Sequence, residues 1–380
     1  MLRRSIPSVA VLLIISGSLT MSGGMAAEGS ASPRSDDPTD CSPAIIALPL
    51  PAGDTNGDVL SAASRFAVGY VADDAQHQQV AVWTKSEGNH WEVRNLGNFG
   101  LSDPFSALSA TGVNAHGEVT IGVNAAVMRA WVYVNGTTHR LKDFAGARNA
   151  YARAINDHGE IVGEALDAAG NDFAAVWPRW WSKPRRLAPI PGYDGSFAQG
   201  VSDRGVVSGG MFSLGSKPQI AVRWGPNAEP KVLRGLGGGA AAWAANGSRR
   251  TVGEASDQTT TTYAIVWSRS GRPHSLGLFR GDQFSRALDI STSGVVVGFE
   301  GVNPPPPAIP QRHILLWPGS GPVRSLLPLS RNWNDGAYSH TLDNHGDVFG
   351  ASSAKAGALP QPTEWTCALA QSFVPRTGSH

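Results

Sequence analysis

Residues with catalytic potential are scattered through this 380-residue chain and form no complete catalytic motif. His116, His158 and His345 recur at equivalent turn positions, which predicts solvent-facing residues on separate repeats rather than converging metal ligands. No Gly-x-Ser-x-Gly segment occurs, and no acidic pair can be placed from sequence at the ~5–9 Å separation of glycosidase carboxylates. We therefore predict no catalytic residue, metal ligand or cofactor. A catalytic site assembled from several repeats is the alternative.

The residues predicted to bind a ligand lie in connections between repeats, where aromatic and charged side chains are concentrated. In the predicted fold these connections share one face, and binding residues occur disproportionately in such loops. The predicted ligand-binding residues are Tyr193, Asp194, Phe279, Arg280, Asp282, Trp333, Asn334 and Asp335. Trp180 and Trp181 belong to the opposite face and form a second, weaker candidate patch.

The N-terminus has the pattern of an export signal. Arg3 and Arg4 precede an apolar run over residues 9–15, and small residues surround Ala26 and Ala27. We predict a signal peptide over residues 1–27 and a secreted or periplasmic protein. An uncleaved membrane anchor is the alternative, although Ser and Gly interrupt the apolar run. Residues 28–43 are rich in Ser, Asp and Pro, which predicts a disordered spacer.

The charge of the chain gives no indication of a nucleic-acid or anionic-membrane partner. The 31 basic and 30 acidic residues almost balance, and removal of residues 1–27 takes away two arginines and no acidic residue. No segment after the signal is apolar enough to cross a bilayer. We expect a monomer whose partner is an extracytoplasmic protein or glycan.

Two sequence patterns recur in register along the chain. The first is a tryptophan every 43 to 50 residues, at Trp83, Trp131, Trp177, Trp224, Trp267, Trp317 and Trp365. We expect these side chains to pack between repeats rather than to act as sugar-stacking platforms. The second pattern is a turn, two apolar residues and a glycine; it is clearest over residues 156–163 and has counterparts ending at Gly69, Gly122, Gly209, Gly253, Gly298 and Gly350.

Each repeat contains four short apolar or alternating runs, too short for helices and rich in β-branched and aromatic residues. This organisation predicts an all-β protein, a seven-bladed β-propeller with four antiparallel strands per blade, over residues 44–370. An open β-solenoid is the main alternative.

The two ends of the chain predict closure of the ring. Residues 45–50 resemble an isolated fourth strand, whereas the last repeat has only a weak fourth run over residues 371–374. We predict that the N-terminal strand completes the last blade, and that residues 371–380 form a C-terminal tail. The only two cysteines, Cys41 and Cys367, flank this contact, which favours a disulfide over two free thiols.

The segment Ala154-Ile155-Asn156-Asp157-His158-Gly159-Glu160-Ile161-Val162-Gly163 resembles the bacterial extracellular repeat family named for its His-Ala-Phe (HAF) tripeptide. Units of that family carry an Ile-Asn-Asp-x-Gly-x-Val-Val-Gly segment and a His-Ala-Phe-Leu-Trp segment. Residues 313–317, His-Ile-Leu-Leu-Trp, come closest to the second, and the tripeptide itself is missing.

The resemblance covers most of residues 44–369. It implies an exported β-propeller-like protein and assigns no single reaction. We therefore predict a non-enzymatic binding or scaffold module. The alternative is a hydrolase or lyase that acts on an extracellular polymer from the loop face or the central channel.

Overall fold

The computed structural model describes residues 42–87, 90–99, 107–124, 128–144, 149–279, 282–302 and 311–374, and these residues form an all-β domain. The helical segments among them are a 3-10 helix, Trp333–Asp335, and α1, Ala368–Gln371. Within the described ranges no helix has the length and apolar character needed to span a membrane.

The strands are β1 (Ala44–Ala47), β2 (Asn56–Ala63), β3 (Phe66–Ala72), β4 (Gln78–Lys85), β5 (Trp91–Gly97), β6 (Ala107–Val113), β7 (Val119–Asn124), β8 (Arg129–Val134), β9 (Thr137–Arg140), β10 (Asn149–Ile155), β11 (Ile161–Leu166), β12 (Asp172–Trp177), β13 (Arg185–Arg186), β14 (Gly195–Val201), β15 (Val207–Phe212), β16 (Ile220–Trp224), β17 (Pro230–Leu233), β18 (Gly237–Ala245), β19 (Thr251–Asp257), β20 (Thr262–Trp267), β21 (Pro273–Ser275), β22 (Phe284–Ile290), β23 (Val296–Val302), β24 (Gln311–Trp317), β25 (Arg324–Ser325), β26 (Ala337–Leu342), β27 (Val348–Ser352) and β28 (Gln361–Thr366).

Hydrogen bonds join these strands into five four-stranded antiparallel sheets and one eight-stranded sheet. Four of the smaller sheets follow chain order, β2–β5, β6–β9, β10–β13 and β14–β17, and the fifth has the order β1-β28-β27-β26. The eight-stranded sheet consists of two antiparallel groups, β18–β21 and β22–β25, which meet at one parallel contact between Thr262 and Phe284. Each four-stranded group is called a blade below and is named by its strands.

The first strands of the blades form a closed circle at the centre of the molecule. In order around the circle, β2, β6, β10, β14, β18, β22 and β26 contact their neighbours, and β26 contacts β2 again. Sheets arranged radially around such a circle make a β-propeller. We call the side with the blade-to-blade connections and the second-to-third strand loops the loop face. The opposite side, which carries the Asn-x-x-Gly turns, is the turn face.

The N-terminal strand completes the sheet formed by the end of the chain, as predicted. β1 pairs antiparallel with β28 from Ala44 opposite Thr366 to Ala47 opposite Thr363. This pairing covers the backbone edge of β28, which is the kind of exposed edge that promotes aggregation. The predicted fourth run of the last repeat behaves differently, because Phe373 pairs with Ser325 of β25 in the neighbouring blade.

A β-bulge recurs in the first strand of every blade and explains the repeated glycine. The bulged residues are Leu60, Thr111, Arg153, Gln199, Trp243, Leu288 and His340. The bulge pushes a carbonyl oxygen against the glycine of the second strand, so that a Cβ on Gly163 would lie 1.9 Å from the Tyr151 oxygen. The same conflict, at 1.9 to 2.1 Å, arises at Gly69, Gly209, Gly253, Gly298 and Gly350. Any side chain there would collide with the backbone of the adjacent strand.

The predicted glycine position is wrong by one residue in the β6–β9 blade. Ile121 pairs with Ala110 and occupies the register position of the other repeated glycines, whereas Gly122 pairs with Ser109. A Cβ on Gly122 would lie 2.2 Å from the Tyr151 ring. This glycine therefore makes room for an aromatic side chain of the next blade.

Six of the seven repeated tryptophans are buried between blades, as predicted. Trp177 has no exposed surface, and its indole Nε1 donates a 2.8 Å hydrogen bond to the Lys142 carbonyl oxygen, just after the preceding blade. Corresponding bonds join Trp83 to Pro49, Trp224 to Ala188, Trp267 to Arg234 and Trp365 to Leu327. Trp317 is also buried. Trp131 is partly buried and lies out of register with the others, because Tyr133, opposite Val119, holds the position that Trp177 holds opposite Ile161.

The Asn of the repeated turn links neighbouring blades on the turn face. Asn156 Nδ2 donates to the Ser202 carbonyl oxygen at 3.0 Å, while its Oδ1 accepts the backbone N–H groups of His158 and Glu160. Asn114 and Asn246 make equivalent bonds to the next blade. The histidines of these turns, His116, His158 and His345, are exposed, as predicted.

Candidate functional site

Three ionisable side chains converge on the loop face of the β22–β25 blade. Asp282 precedes β22, Glu300 lies near the end of β23, and His313 lies near the start of β24, directly opposite Glu300 in the strand register. One ligand atom from each lies within 4.8 Å of the other two, and His313 Nδ1 is 3.8 Å from Asp282 Oδ2. We call these three residues the acidic triad.

The acidic triad is largely shielded from solvent. The Glu300 residue is fully buried, and the side chains of His313 and Asp282 retain 12% and 13% of their exposure. Glu300 Oε2 accepts a 2.8 Å hydrogen bond from the backbone N–H of Phe279. Among the described residues, neither ring nitrogen of His313 has a hydrogen-bond partner. Buried polar atoms usually have partners, so this imidazole is a candidate ligand-binding group.

Trp333 covers one face of the His313 ring in the acidic triad. Its ring stacks on the His313 imidazole with a centroid separation of 4.0 Å and an interplanar angle of 3°. The Phe373 ring meets Trp333 at 5.4 Å in an edge arrangement. Trp333 comes from the connection between β25 and β26, so three separate segments build one site. The stack also fixes the plane of the imidazole.

The structure thus brings together three of the predicted ligand-binding residues, Phe279, Asp282 and Trp333. Asp335 lies in the same 3-10 helix as Trp333 and accepts a 3.2 Å hydrogen bond from Asn332 Nδ2. Arg280 and the side chain of Asn334 lie outside the described residues.

Tyr193 and Asp194 lie elsewhere on the loop face. They precede β14, two blades away from β22, and the hydrogen bonds of Asp194 stay within the β14–β17 blade. Asp194 accepts hydrogen bonds from the Leu214 backbone N–H and the Ser213 hydroxyl, which lower the pKa of its exposed carboxyl. Lys217 Nζ lies 5.6 Å from the Tyr193 ring centroid. These residues therefore form a separate patch and do not extend the acidic triad.

A second polar cluster lies between the first strands, near the axis of the ring. His340 Nε2 and Asp58 Oδ2 are 2.8 Å apart, and both residues are buried. Burial raises the pKa of Asp58, and His340 opposes that shift. An Asp–His pair is a common catalytic element, but a residue without solvent access does not meet a substrate. The pair instead ties β2 to β26 where the ring closes.

A third polar cluster joins the first blade to the last sheet. Lys85 Nζ contacts Glu364 Oε1 at 2.6 Å, and Trp91 Nε1 donates to Glu364 Oε2 at 2.7 Å. Burial raises the pKa of Glu364, while these two donors favour its charged form. Both oxygens of this buried carboxylate are thus satisfied, which fits a structural role.

The predicted Cys41–Cys367 disulfide involves a residue outside the described ranges, because Cys41 is not among them. Cys367 directly follows β28 and is buried. Its neighbour Thr366 donates from Oγ1 to the Ser42 carbonyl oxygen at 2.9 Å. The residues adjacent to both cysteines are therefore in contact.

Sequence reasoning missed Glu300 and His313. Both are strand residues, whereas the prediction was restricted to loops. A signal for His313 was present, since it begins the segment that comes closest to His-Ala-Phe-Leu-Trp. The corresponding residue is Phe173, Ile220 or Tyr263 in three other repeats and a glutamine, Gln79 or Gln361, in two more, so the ionisable side chain of His313 is the exception among these repeats.

Comparison with known proteins assigns no family. No protein-family model and no curated protein matches the sequence. Among solved structures, TolB from Acinetobacter baumannii is similar at 12% identity and a TM-score of 0.44, covering 70% of this chain and 61% of TolB. A gluconolactonase from Xanthomonas campestris is 14% identical with a TM-score of 0.35, covering 68% of this chain and 86% of that one. Trypanosoma rangeli sialidase is 8% identical with a TM-score of 0.40, covering 84% and 56%. At these values the similarities assign no activity.

Proposed function

We propose that this chain is an exported, monomeric, seven-bladed β-propeller that binds an extracytoplasmic ligand on the loop face of the β22–β25 blade without chemical conversion. The observation that carries this proposal is the convergence of Asp282, His313 and Trp333 from three segments into one site. Loops held by a rigid scaffold are the usual location of binding residues.

The count of seven blades treats the eight-stranded sheet as two blades. It is supported by the recurrence of one bulge in each first strand and by the single parallel contact that links β20 to β22. A blade with eight strands would place two bulged first strands in one sheet. No other sheet has that arrangement among the described residues.

Export, the signal peptide over residues 1–27, the spacer over residues 28–43 and the Cys41–Cys367 disulfide belong to the same proposal. The contact between Ser42 and Thr366 supports the disulfide, because it brings the residues next to both cysteines together. A disulfide in turn fits an oxidising compartment, the periplasm or the exterior. Membership of the HAF-repeat family is supported by two positions of its motif. Asn156 donates to the next blade, Gly163 leaves room for a backbone carbonyl oxygen within its own blade, and both contacts recur in other blades.

A glycan is the ligand class that the site favours. Asp282 and His313 keep some exposed surface and offer polar partners for hydroxyl groups, and Trp333 adds aromatic surface at the same place. Sites of this kind combine an apolar wall with a few placed polar groups. A protein ligand would instead need a broad interface of about 800 Å² on each partner.

A glycoside hydrolase is the second candidate, because Asp282 and Glu300 bring two carboxylate oxygens within 4.8 Å of each other. Retaining glycosidases hold two carboxyl groups ~5 Å apart. Burial argues against this function here. Glu300 has no exposed surface, so it cannot contact a glycosidic bond as one of the two catalytic carboxyl groups.

An array of defined bacterial and plant polysaccharides tests the proposal. The unmodified protein should retain specific glycans, and Trp333→Ala should weaken retention about tenfold or more, equivalent to about 1.4 kcal/mol. Trp181→Ala is the control, since Trp181 is 54% exposed on the turn face. Equal loss in both variants, or no retained glycan, would count against a loop-face glycan site. Release of reducing sugar from a retained glycan would favour the hydrolase.

A further inference from the structure

We propose that Asp282, Glu300 and His313 bind one divalent transition-metal ion of the Zn²⁺ or Mn²⁺ type. The role of this ion in ligand capture rests on the proposed function, whereas its binding does not. The proposal differs from the sequence prediction, which contains no metal ligand. The three residues are far apart in the sequence and become neighbours only through the fold.

The spacing of the ligand atoms is suitable for one ion. All three lie within 4.8 Å of one another, and the histidine nitrogen is 3.8 Å from the Asp282 oxygen. Ligands about 2.0–2.2 Å from a tetrahedral ion are about 3.4 Å apart, so binding requires side-chain movements of roughly 1 Å. Asp282 can supply this movement because it lies in a loop, whereas Glu300 and His313 are held by paired strands.

The ligand types select the class of metal. One imidazole nitrogen and two carboxylates suit Zn²⁺, Mn²⁺ and related ions. Ca²⁺ prefers six to eight oxygen ligands, and histidine is not among its usual ligands. The absence of cysteine from the triad also disfavours the softest ions, such as Cu(I).

The surroundings hold two of the ligands in place, as in known metal sites. Trp333 stacks on the His313 ring at 4.0 Å, and the backbone N–H of Phe279 binds Glu300 Oε2 at 2.8 Å. Two ligands are thus oriented before an ion arrives, which lowers the entropic cost of binding.

A bound ion would also explain why an imidazole without a hydrogen-bond partner is buried at this site. A buried polar group is costly unless it is paired, and neither ring nitrogen of His313 has a hydrogen-bond partner among the described residues. Three protein ligands leave at least one coordination position for an outside oxygen. A hydroxyl or carboxylate of a bound glycan is suited to that position.

Isothermal titration of the chelator-treated, untagged full chain with ZnCl₂ and with MnCl₂ tests the proposal. We expect one ion per chain and weaker binding of CaCl₂. Both His313→Ala and Asp282→Asn should reduce affinity about 100-fold or more, because each removes a direct ligand. His158→Ala, which changes an exposed turn histidine, should bind like the unmodified chain. No saturable binding, or unchanged affinity in both triad variants, would overturn the proposal.

A measurement on the unmodified protein covers the case in which the variants do not fold. Crystals grown without metal and soaked in MnCl₂ should show an anomalous peak between Asp282, Glu300 and His313. Peaks elsewhere only, or none, would contradict the site. The polysaccharide array, repeated with metal-free and metal-loaded protein, separates the two proposals. Metal binding without glycan retention would contradict the glycan as ligand and leave the metal site intact. Glycan retention by the metal-free protein would contradict only a role of the ion in glycan capture.

Discussion

The indole Nε1 of Trp177 donates a 2.8 Å hydrogen bond to the carbonyl oxygen of Lys142, and so ties the β10–β13 blade to the chain segment that leaves the β6–β9 blade. The same hydrogen bond, from a tryptophan Nε1 to a backbone carbonyl oxygen, occurs in five blades. One residue type thereby fills the space between sheets and satisfies a backbone carbonyl at the same time. This explains why the tryptophan recurs more regularly than the residues around it.

Replacing this indole should destabilise the ring. Trp177→Phe removes the donor and part of the buried volume, and we expect the free energy of unfolding to fall by about 2–4 kcal/mol. Urea denaturation followed by circular dichroism measures the change. Trp181→Phe alters an exposed indole and should cost less than about 0.5 kcal/mol. Equal costs in the two variants would show that the inter-blade bond contributes little.

The Asn side chains that join neighbouring blades on the turn face give a second stability prediction. Asn156→Ala removes a donor to the next blade and an acceptor for two backbone N–H groups, so we expect a loss of about 1–3 kcal/mol. The exposed neighbour in the same turn supplies the control, His158→Ala, with an expected effect within about 0.5 kcal/mol. Thermal or urea unfolding of the two variants side by side distinguishes a structural Asn from an ordinary turn residue.

The buried carboxyl group of Asp289 should make the free energy of unfolding depend on pH. It accepts hydrogen bonds from the Thr341 hydroxyl at 2.7 Å and the Leu342 backbone N–H at 3.2 Å, and thus links β22 to β26. Burial raises the pKa of Asp289 to about 7, above its ordinary value of 3.8. The folded state therefore binds an extra proton between these two values. Its stabilising contribution is complete below pH 3.8 and is lost as the pH rises through about 7.

Comparing the unmodified protein with Asp289→Asn isolates this effect. The free energy of unfolding of the unmodified protein, relative to the variant, should decline from pH 4.5 to pH 7.5 and then level off. Asp194→Asn is the control, because hydrogen bonds lower the pKa of its exposed carboxyl and its difference should be flat over this range. A flat difference for Asp289→Asn would show that the buried carboxyl titrates normally.

Reducing the proposed disulfide should weaken the closure of the ring. Cys41 and Cys367 enclose almost the whole domain, and the chain-entropy model gives about 5–6 kcal/mol for a loop of this length. We expect Cys367→Ser to lower the midpoint of urea unfolding, and a reducing agent to lower that of the unmodified protein only. Peptide mapping under non-reducing conditions should recover both cysteines in one cross-linked peptide. Recovery of two free thiols would contradict the disulfide.

Much of the fold could be predicted because the repeats are regular. The spacing of the tryptophans predicts the packing between blades, and the apolar run at residues 45–50 predicts the pairing of β1 with β28. The bulges could not be predicted, because a bulged residue such as Arg153 or Leu288 has no fixed type. The one-residue shift at Gly122 was missed for the same reason, since register depends on pairing rather than composition.

The candidate site could be predicted in part. Phe279, Asp282 and Trp333 were identified because connections between repeats share one face. Tyr193 and Asp194 satisfy the same rule, yet they lie two blades away. A sequence gives the order of blades, but not which of their loops meet. His313 was not predicted because only loops were considered, whereas His313 lies in a strand.

The most direct test of the loop-face site is the dissociation constant of the best array glycan for Asp282→Asn and Asp194→Asn, both measured against the unmodified protein. These substitutions remove the same charge from two connections on one face, so unspecific electrostatic effects are matched. We predict that Asp282→Asn weakens binding about tenfold or more and that Asp194→Asn changes it less than about twofold. Unchanged binding by Asp282→Asn, or a larger loss in Asp194→Asn, would contradict the account.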